Sequence, residues 1–398
     1  MRVLMLSWEF PPRVIGGISP HVYHLSMELA KLGAEVCVVT CDFPGAPDFE
    51  AIDGVHVHRV DSYRSPASDF ASWVLMMNVN LEMHAAEIVK SGREKIDLIH
   101  AHDWLVATAA IGLKHIFRKP MVATIHSTEQ GRRNGINTDY QKMIHRTADW
   151  LVHEAWRTIC CSDYMASQVS YVLRLPRNNI DVIPNGVDLE EFTGYYDRAG
   201  FRNRFVRSDE KLILFVGRLV YEKGGTILIE AAQKILRSVN AKFVVVGDGY
   251  LRDELMRRAW DAGIGGKMYF TGFLDEKTLR LLYRTADVCV VPSLYEPFGI
   301  VALEAMVART PVVVSGVGGL LEIVEHDKTG VVIYPDNADS LAWGVIKVLK
   351  DESYANWIRS NAYQKIVDVY GWRRIAKRTL RFYERVLGEY EAGGWKPT

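Results

Sequence analysis

The chain has 398 residues, of which 48% are hydrophobic and 24% are charged, and its 48 basic and 48 acidic side chains cancel. This length favours two domains over one hydrophobic core, and the composition is that of a soluble globular protein. The balanced charge argues against nucleic acid as a partner.

Short apolar runs alternate with longer stretches of helical period, which is typical of parallel sheets covered by helices on both faces. One set of predicted strands lies near 2–7, 35–40, 55–60, 97–101, 120–125, 157–161 and 180–183. A second set lies near 212–217, 242–247, 267–271, 288–292, 311–315 and 331–334. We therefore predict an α/β protein with two Rossmann-like, doubly wound parallel-sheet domains.

The stretch TGYYDRAGFRNRFVRSDE, residues 193–210, is polar and contains no predicted strand. It is the expected connection between the two sets, so the boundary falls near residue 190. The predicted domains are therefore 1–190 and 191–371.

The first and last helices have clear boundaries. Ser19 is expected to cap the first helix and Gly33 to end it. The final segment, 372–390, has an apolar stripe that must pack on another element. Its basic side is either a solvated face or a surface that contacts a membrane. The stripe contains Trp372, Ile375, Ala376, Leu380, Tyr383 and Leu387.

The N-terminal sequence MRVLMLSWEFPP predicts a buried strand that enters a proline turn. It lacks the longer apolar region and cleavage site of a signal peptide, and no later apolar run is long enough to cross a bilayer. We expect a cytoplasmic protein.

The cysteines lie in or beside valine-rich runs, without CxxC spacing or a nearby pair of histidines. This pattern favours buried thiols over a metal site or a disulfide. The five residues are Cys37, Cys41, Cys160, Cys161 and Cys289.

Ligands of open parallel sheets bind beyond the carboxyl ends of the strands, so the loops there are the first places to inspect. In EFPPRVIGGIS, Gly16 and Gly17 precede the first helix, where backbone amides and the helix dipole can bind an anion. A plain turn is an equally good interpretation, and the dinucleotide fingerprint G-x-G-x-x-G is absent from this loop.

The loop GRLVYEKGG follows the predicted strand LILFV and contains Arg218 and Lys223. Two cations at a strand end beside a helix N-terminus can neutralise a diphosphate. An exposed pair of basic residues is the alternative.

The stretch YEPFGIVALEAM places Glu296 in a loop, carries the chain through Phe298 and Gly299 into a helix, and puts Glu304 in the early turns of that helix. Two carboxylates in this arrangement suit the hydroxyl groups of a sugar. Solvated glutamates are the alternative.

Polar residues also follow two strands of the first half. His126 ends MVATIH, and Asp103 lies in HAHDW at the end of another predicted strand. Glu129 and Arg132 follow in HSTEQGRRNG, where they either contact a polar acceptor or belong to an exposed loop.

Taken together, these motifs resemble the retaining, nucleotide-sugar-dependent glycosyltransferases of GT-B architecture, the family four type that includes glycogen synthases and sucrose-phosphate synthases. The resemblance covers nearly the whole chain. It rests on Glu296 and Glu304 with seven residues between them and on the motifs GVGGLLEIV, GRLVYEKG, IPNGVD and GGIS together with His126. It implies two domains that face a cleft, with the helix 372–390 completing the N-terminal, acceptor-side domain.

The resemblance also implies a role for each candidate residue. Arg218 and Lys223 would bind the donor diphosphate, assisted by the glycine pair Gly16 and Gly17. Glu304 would hold the ribose, and His126 would lie near the reacting bond. The donor sugar would contact Glu296 and the amides of Phe298 and Gly299. The acceptor side would include Asp103, Glu129 and Arg132.

No D-x-D motif for a divalent metal is present, so we expect no cofactor and no catalytic metal. The leading expectation is transfer of glucose from ADP- or UDP-glucose, by front-face displacement, to a sugar, a glucan or a lipid-linked acceptor. Bacterial glycogen synthases usually have a lysine where this chain has Val14. A nucleotide-sugar epimerase of the same architecture and a non-catalytic sugar-nucleotide sensor are the alternatives.

Overall fold

The structure is a computed structural model that describes residues 1–62 and 67–395. The chain forms two compact units. It leaves the N-terminal unit after Asn185 and returns to that unit at Trp372. The C-terminal unit is Gly186–Gly371.

Within the described residues, the N-terminal unit contains an eight-stranded sheet of order β3-β4-β2-β1-β5-β6-β7-β8. The strands are β1 Arg2–Leu6, β2 Glu35–Cys41, β3 Phe49–Ile52, β4 Val55–Val60, β5 Leu98–His102, β6 Met121–Ile125, β7 Arg157–Cys160 and β8 Ile180–Val182. Every strand predicted for this half is present. The edge strand β3, which pairs antiparallel with β4, was not predicted.

The helices of this unit pack on the sheet. They are α1 Ile18–Lys31, α2 Phe70–Lys90, α3 Ala107–Phe117, α4 Glu129–Arg133, α5 Asp139–Glu154, α6 Asp163–Val172 and the C-terminal α15 Trp372–Gly393. None of the helices within 1–62 and 67–395 combines the length and the apolar character needed to cross a bilayer.

The start of α1 corrects the prediction that Ser19 caps it. The helix begins at Ile18 with Gly17 at the N-cap, and the buried Ser19 hydroxyl has no hydrogen-bond partner among the described residues. Instead, the carboxylate of Glu9 accepts the amide hydrogens of Ile15 and Gly16 at 2.6 and 3.0 Å. A side chain from the preceding loop therefore satisfies amides just before the helix. Gly33 lies just beyond the last turn with φ 91°, where glycine is favoured.

Residues 186–371 are described throughout and contain a parallel, six-stranded sheet of order β11-β10-β9-β12-β13-β14. Its strands are β9 Lys211–Val216, β10 Ala241–Val246, β11 Met268–Gly272, β12 Val288–Val291, β13 Val312–Ser315 and β14 Val331–Ile333. Its helices are α7 Arg198–Arg202, α8 Gly225–Leu236, α9 Arg252–Asp261, α10 Glu276–Thr285, α11 Ile300–Val307, α12 Leu320–Ile323, α13 Ala338–Lys350 and α14 Glu352–Val369. All strands predicted for this half are present, and the stretch 193–210 contains α7 but no strand.

The apolar side of α15 packs into the core of the N-terminal unit, where Trp372, Ile375 and Tyr383 are buried. Leu380 and Leu387 lie at the edge of this contact and are only partly buried. Thr379, Phe382 and Val386 complete the buried face. All five cysteines of the chain lie in the described part and are buried free thiols, as predicted.

Candidate active site

The strand order of the C-terminal unit places two predicted site segments side by side. Successive strands are added in opposite directions from β9, so the order reverses between β9 and β12, and open α/β sheets bind ligands at such a reversal. Arg218 and Lys223 follow β9, whereas Glu296 follows β12. The fold therefore brings together residues that are distant in the sequence.

Lys223 and Glu296 form a direct ion pair. Lys223 Nζ donates to Glu296 Oε2 at 2.7 Å, and the hydroxyl of Ser293 donates to the same oxygen at 3.1 Å. The side chains of Lys223 and Glu296 are only 22% and 10% exposed. Because both are largely shielded from water, each holds the other in place more firmly than an exposed pair would.

Arg218 is the more exposed cation. Its guanidinium contacts Glu222 Oε1 at 3.3 Å, and its side chain is 47% exposed. The carbonyl of Glu222 accepts the amide of Leu294 at 2.8 Å, which ties the loop after β9 to the loop after β12. Arg218 therefore presents its charge to solvent from a loop that is fixed by backbone contacts.

The segment that carries Phe298 and Gly299 is held by close backbone contacts. Gly299 has φ 118°, a conformation that side chains disfavour. A Cβ on Gly319 would lie 2.6 Å from Phe298 Cα, and the Gly319 amide donates to the Glu296 carbonyl at 3.0 Å. The motif GVGGLLEIV thus packs against the loop that carries Glu296 and Phe298 and holds it in place.

Glu304 lies in α11 and contacts a different side chain from Glu296. Its carboxylate accepts a hydrogen bond of 2.7 Å from the buried hydroxyl of Tyr283. Burial raises the pKa of Glu304 to about 7, with the Tyr283 hydrogen bond and the charge of Arg280 acting in the opposite direction. Glu191 has its pKa raised to about 7 as well, first by burial and partly by repulsion from Glu304.

In the N-terminal unit the order of strands reverses between β1 and β5, and predicted residues again follow these strands. Gly17 is exposed at the N-cap of α1, but the amide of Gly16 is bonded to Glu9. The buried Glu9 carboxyl has its pKa raised by burial, against the opposing effect of its amide hydrogen bonds. Glu9 thus holds the glycine loop in place. It also occupies the amide of Gly16, one of the two glycine amides that were predicted to bind the donor diphosphate.

His126 follows β6 directly and belongs to a cluster of imidazoles. His126 Nε2 lies 3.4 Å from His102 Nδ1, and the rings of His126 and His21 meet edge to face at 4.9 Å. Burial is the main cause that lowers the pKa of His21 to about 4 and the pKa values of His102 and His126 well below the usual value. The three rings are therefore neutral at neutral pH.

Two buried nitrogens of this cluster, Nε2 of His21 and Nε2 of His102, have no hydrogen-bond partner among the residues that the structure describes. Buried polar atoms are nearly always paired with protein, water or ligand. The cluster therefore has hydrogen-bonding capacity for a polar group beside His126.

Asp103, Glu129 and Arg132 lie near His126. Asp103 is buried, adopts φ 68°, and accepts the amide of Trp104 at 2.8 Å. Burial raises its pKa to about 6, and the positive charge of Arg132 opposes this shift. Arg132 also pairs with Glu129 at 2.8 Å. The structure thus brings the predicted acceptor-side residues into one electrostatic group.

Two protein-family models match this chain, one over most of each unit. The model of Glycosyltransferase Family 4 matches residues 15–191, and that of Glycosyl transferases group 1 matches residues 198–365. The structure of sucrose-phosphate synthase from Thermosynechococcus elongatus aligns with a TM-score of 0.84 and 25% identity over 97% of this chain and 99% of that one. An uncharacterized glycosyltransferase of Methanocaldococcus jannaschii is 42% identical over 96% of this chain and 98% of its own length. The chain belongs to the GT-B glycosyltransferases of the family 4 type.

A glycogen synthase of Mycobacterium tuberculosis is also similar to this glycosyltransferase, with 36% identity over 96% of this chain and 94% of the relative. None of these comparisons supports the alternative of a nucleotide-sugar epimerase.

Several residues that contact the candidate site residues were not predicted from sequence. Glu9 and His21 flank the glycine pair, but neither has a local signal apart from that position. His102 lies in the motif HAHDW, but no role was predicted for it. Ser293 and Tyr283 act on Glu296 and Glu304 through contacts that only the folded chain reveals.

Proposed function

We propose that this glycosyltransferase moves glucose from ADP-glucose or UDP-glucose to an acceptor hydroxyl, with retention of configuration and without a metal ion. The observation that carries the proposal is the position of Arg218 and Lys223, which lie where the strand order of the C-terminal unit reverses and where Glu296 joins them. The glycogen synthase and sucrose-phosphate synthase similarities favour a glucosyl donor.

The two cations act on the leaving group. Departure of a nucleoside diphosphate leaves negative charge on its phosphates, and fixed positive groups stabilise that charge more in the transition state than in the bound donor. Lys223 is already oriented by Glu296, so little reorganisation is needed when the donor binds. In this scheme Arg218 and Lys223 do the work that a divalent metal does in other transferases.

The rest of the donor contacts the segment from Glu296 to Glu304. The Glu296 carboxylate and the amides of Phe298 and Gly299 hold the sugar, and Glu304 accepts hydrogen bonds from the ribose. Glu304 is most effective when it is ionised, and its raised pKa links donor binding to pH near neutrality.

The N-terminal unit supplies contacts to the sugar and the acceptor. Neutral His126 hydrogen-bonds near the reacting carbon, and the exposed Gly17 amide assists the diphosphate. The acceptor hydroxyl attacks the anomeric carbon on the face that the diphosphate leaves, and its proton passes to the departing phosphate. The residues around the acceptor, a sugar, a glucan or a lipid-linked group, are Asp103, Glu129 and Arg132.

The experiment has two stages. Melting temperatures are first measured against ADP-, UDP- and GDP-sugars, because a ligand that binds only the folded chain stabilises it. The nucleotide sugar that stabilises the protein is then incubated with glucan and small-sugar acceptors. Nucleoside diphosphate together with a new α-glucoside supports the proposal. Interconversion of the sugar without transfer would indicate an epimerase, and binding without turnover would indicate a sensor; either result contradicts it.

A further inference from the structure

A second cluster of metal-ligating side chains lies in the N-terminal unit on one face of the sheet, apart from the residues proposed for transfer. In the parallel pairing of β2 and β4, Cys37 is opposite His56 and Val39 is opposite His58. Side chains two residues apart on a strand share a face, so Cys37, His56 and His58 project to the same side. Glu94, from the segment between α2 and β5, reaches this side as well.

The ligand atoms of Cys37, His58 and Glu94 all lie within 4.8 Å of one another. Glu94 Oε1 is 3.4 Å from His58 Nε2 and 2.7 Å from His56 Nδ1. Cys37 and His58 are 3% and 7% exposed, and the Glu94 side chain is 13% exposed. The cluster is therefore shielded from water, while the 47% exposed His56 side chain marks a route to it from solvent.

A neighbouring imidazole holds His58 in the orientation that a ligand needs. His58 Nδ1 lies 3.2 Å from Nε2 of His84, which projects from α2. A hydrogen bond at Nδ1 fixes the ring and leaves Nε2 facing Cys37 and Glu94. Metal-ligating histidines almost always have their second nitrogen engaged in this way.

We propose that Cys37, His58 and Glu94 form a zinc site, with His56 or solvent as the fourth ligand and His84 as a positioning residue. Thiolate, imidazole and carboxylate are the ligands that Zn²⁺ takes, with bonds of about 2.0–2.3 Å, and this mixture disfavours Mg²⁺ or Ca²⁺. Binding releases the thiol proton of Cys37 and joins the thiolate to the cation.

The site is structural. It ties the segment before β5 to strands β2 and β4, and its residues are distinct from those proposed for glycosyl transfer. Sequence spacing did not indicate it because Cys37, His58 and Glu94 come from two strands and a loop and lie far apart in the sequence.

The test uses the full chain without a polyhistidine tag, stripped with a chelator and titrated with Co²⁺ as a spectroscopic probe. We expect one Co²⁺ per chain with a sulfur-to-cobalt charge-transfer band in the near ultraviolet, and displacement of that band by Zn²⁺. At about a hundredfold excess over Kd, Zn²⁺ raises the melting temperature by about 5 °C or more.

Cys37→Ser abolishes the band, whereas Cys41→Ser, which changes another buried thiol of β2, retains it. Glu94→Gln weakens binding at least tenfold, and His84→Ala weakens it about 10- to 100-fold while the band remains. Glu94→Gln keeps the test decisive if Cys37→Ser does not fold.

The proposal is overturned if the wild-type chain binds no stoichiometric Co²⁺, or if Cys37→Ser keeps the band. Binding without a thiolate band also overturns it, because that result places the ion on imidazoles alone, as at His21, His102 and His126.

Discussion

At the scale of single residues, the two glutamates of the seven-residue spacing have different environments. Glu296 is paired with the cation of Lys223, whereas Glu304 is buried against the Tyr283 hydroxyl and has a pKa raised to about 7. One carboxylate is therefore held in an ion pair, and the other exchanges a proton near neutral pH. The spacing predicted their proximity to one ligand but not this difference.

The raised pKa of Glu304 makes stability depend on pH. Between its ordinary pKa of 4.5 and about 7, the folded state binds more protons than the unfolded state, so the free energy of unfolding falls as pH rises through this range. Glu304→Gln removes this loss and can still accept the Tyr283 hydrogen bond. We expect the variant to gain on the order of 1–3 kcal/mol over wild type at pH 8 relative to pH 5, measured by urea unfolding.

The exposed Glu230→Gln is the control and should leave the pH dependence unchanged. Part of the decrease in the free energy of unfolding with pH persists in Glu304→Gln, because Glu191 titrates in the same range. Equal pH profiles for Glu304→Gln and wild type would contradict the buried environment assigned to Glu304.

The diphosphate role of Arg218 and Lys223 predicts a loss of turnover on truncation. Arg218→Ala and Lys223→Ala should each lower kcat about a hundredfold or more, by analogy with removal of an oxyanion-stabilising donor. Lys234→Ala is the matched control, since it removes an ammonium of α8 that pairs with Asp339. Steady-state kinetics with the identified donor provide the measurement, and near-normal kcat in both site variants would remove the assignment.

At the scale of elements, close backbone contacts between loops hold the candidate site together. Gly319 lies against Phe298, and Gly224 lies so near the carbonyl of Pro292 that a Cβ would be 1.9 Å from it. Both contacts connect loops at the carboxyl ends of the strands. Packing therefore requires glycine at both positions.

Gly319→Ala should therefore displace the segment that carries Glu296 and Phe298. The added Cβ would meet Phe298 Cα and the Pro297 carbonyl at 2.6 Å, and backbone atoms cannot move aside as a flexible side chain does. We expect a loss of about 1–3 kcal/mol in the free energy of unfolding and weaker donor binding, measured by denaturation and calorimetry.

Gly266→Ala is the control, because a Cβ at this position would meet no atom within 4 Å. This variant should leave the free energy of unfolding and donor binding nearly unchanged. If the two alanine variants bind donor equally well, the supporting role of Gly319 is wrong.

The helix α15 is anchored in the N-terminal unit by a buried polar contact. The Tyr383 hydroxyl and His100 Nδ1 are 2.6 Å apart, and both residues are fully buried. Tyr383→Phe leaves the histidine nitrogen unpaired and should lower the free energy of unfolding by about 1–3 kcal/mol.

Tyr390→Phe is the control on the same helix, because its hydroxyl bonds the Arg118 carbonyl in an exposed setting. It should cost less than about 1 kcal/mol. Equal effects of the two substitutions, measured by thermal or chemical unfolding, would show that the Tyr383 contact does not anchor the helix.

The elements were predictable to different degrees. Valine-rich runs such as VCVV gave the buried strands correctly, because parallel strands covered on both faces are apolar throughout. The edge strand FEAI of β3 lacks that signal, and the loop before α1 is held by Glu9, whose role no local rule indicates. The Lys223–Glu296 pair joins residues 73 positions apart, so its formation follows from the strand order.

At the scale of the whole molecule, each unit has a doubly wound sheet with candidate residues beyond the strands at its reversal point. The candidate residues of the N-terminal unit are neutral imidazoles and buried carboxyls with raised pKa values, as His126 and Asp103 show, and their one cation, Arg132, is paired with Glu129. The C-terminal unit has the cations Arg218 and Lys223. This difference in charge predicts which unit holds the diphosphate.

The most direct test is a crystal structure of the protein soaked with ADP or UDP. We predict that the phosphates contact the Arg218 guanidinium and the Lys223 ammonium in the C-terminal unit, with the ribose hydroxyls at Glu304. Phosphates bound anywhere else, with Lys223 still paired only to Glu296, would contradict the proposed chemistry of the leaving group.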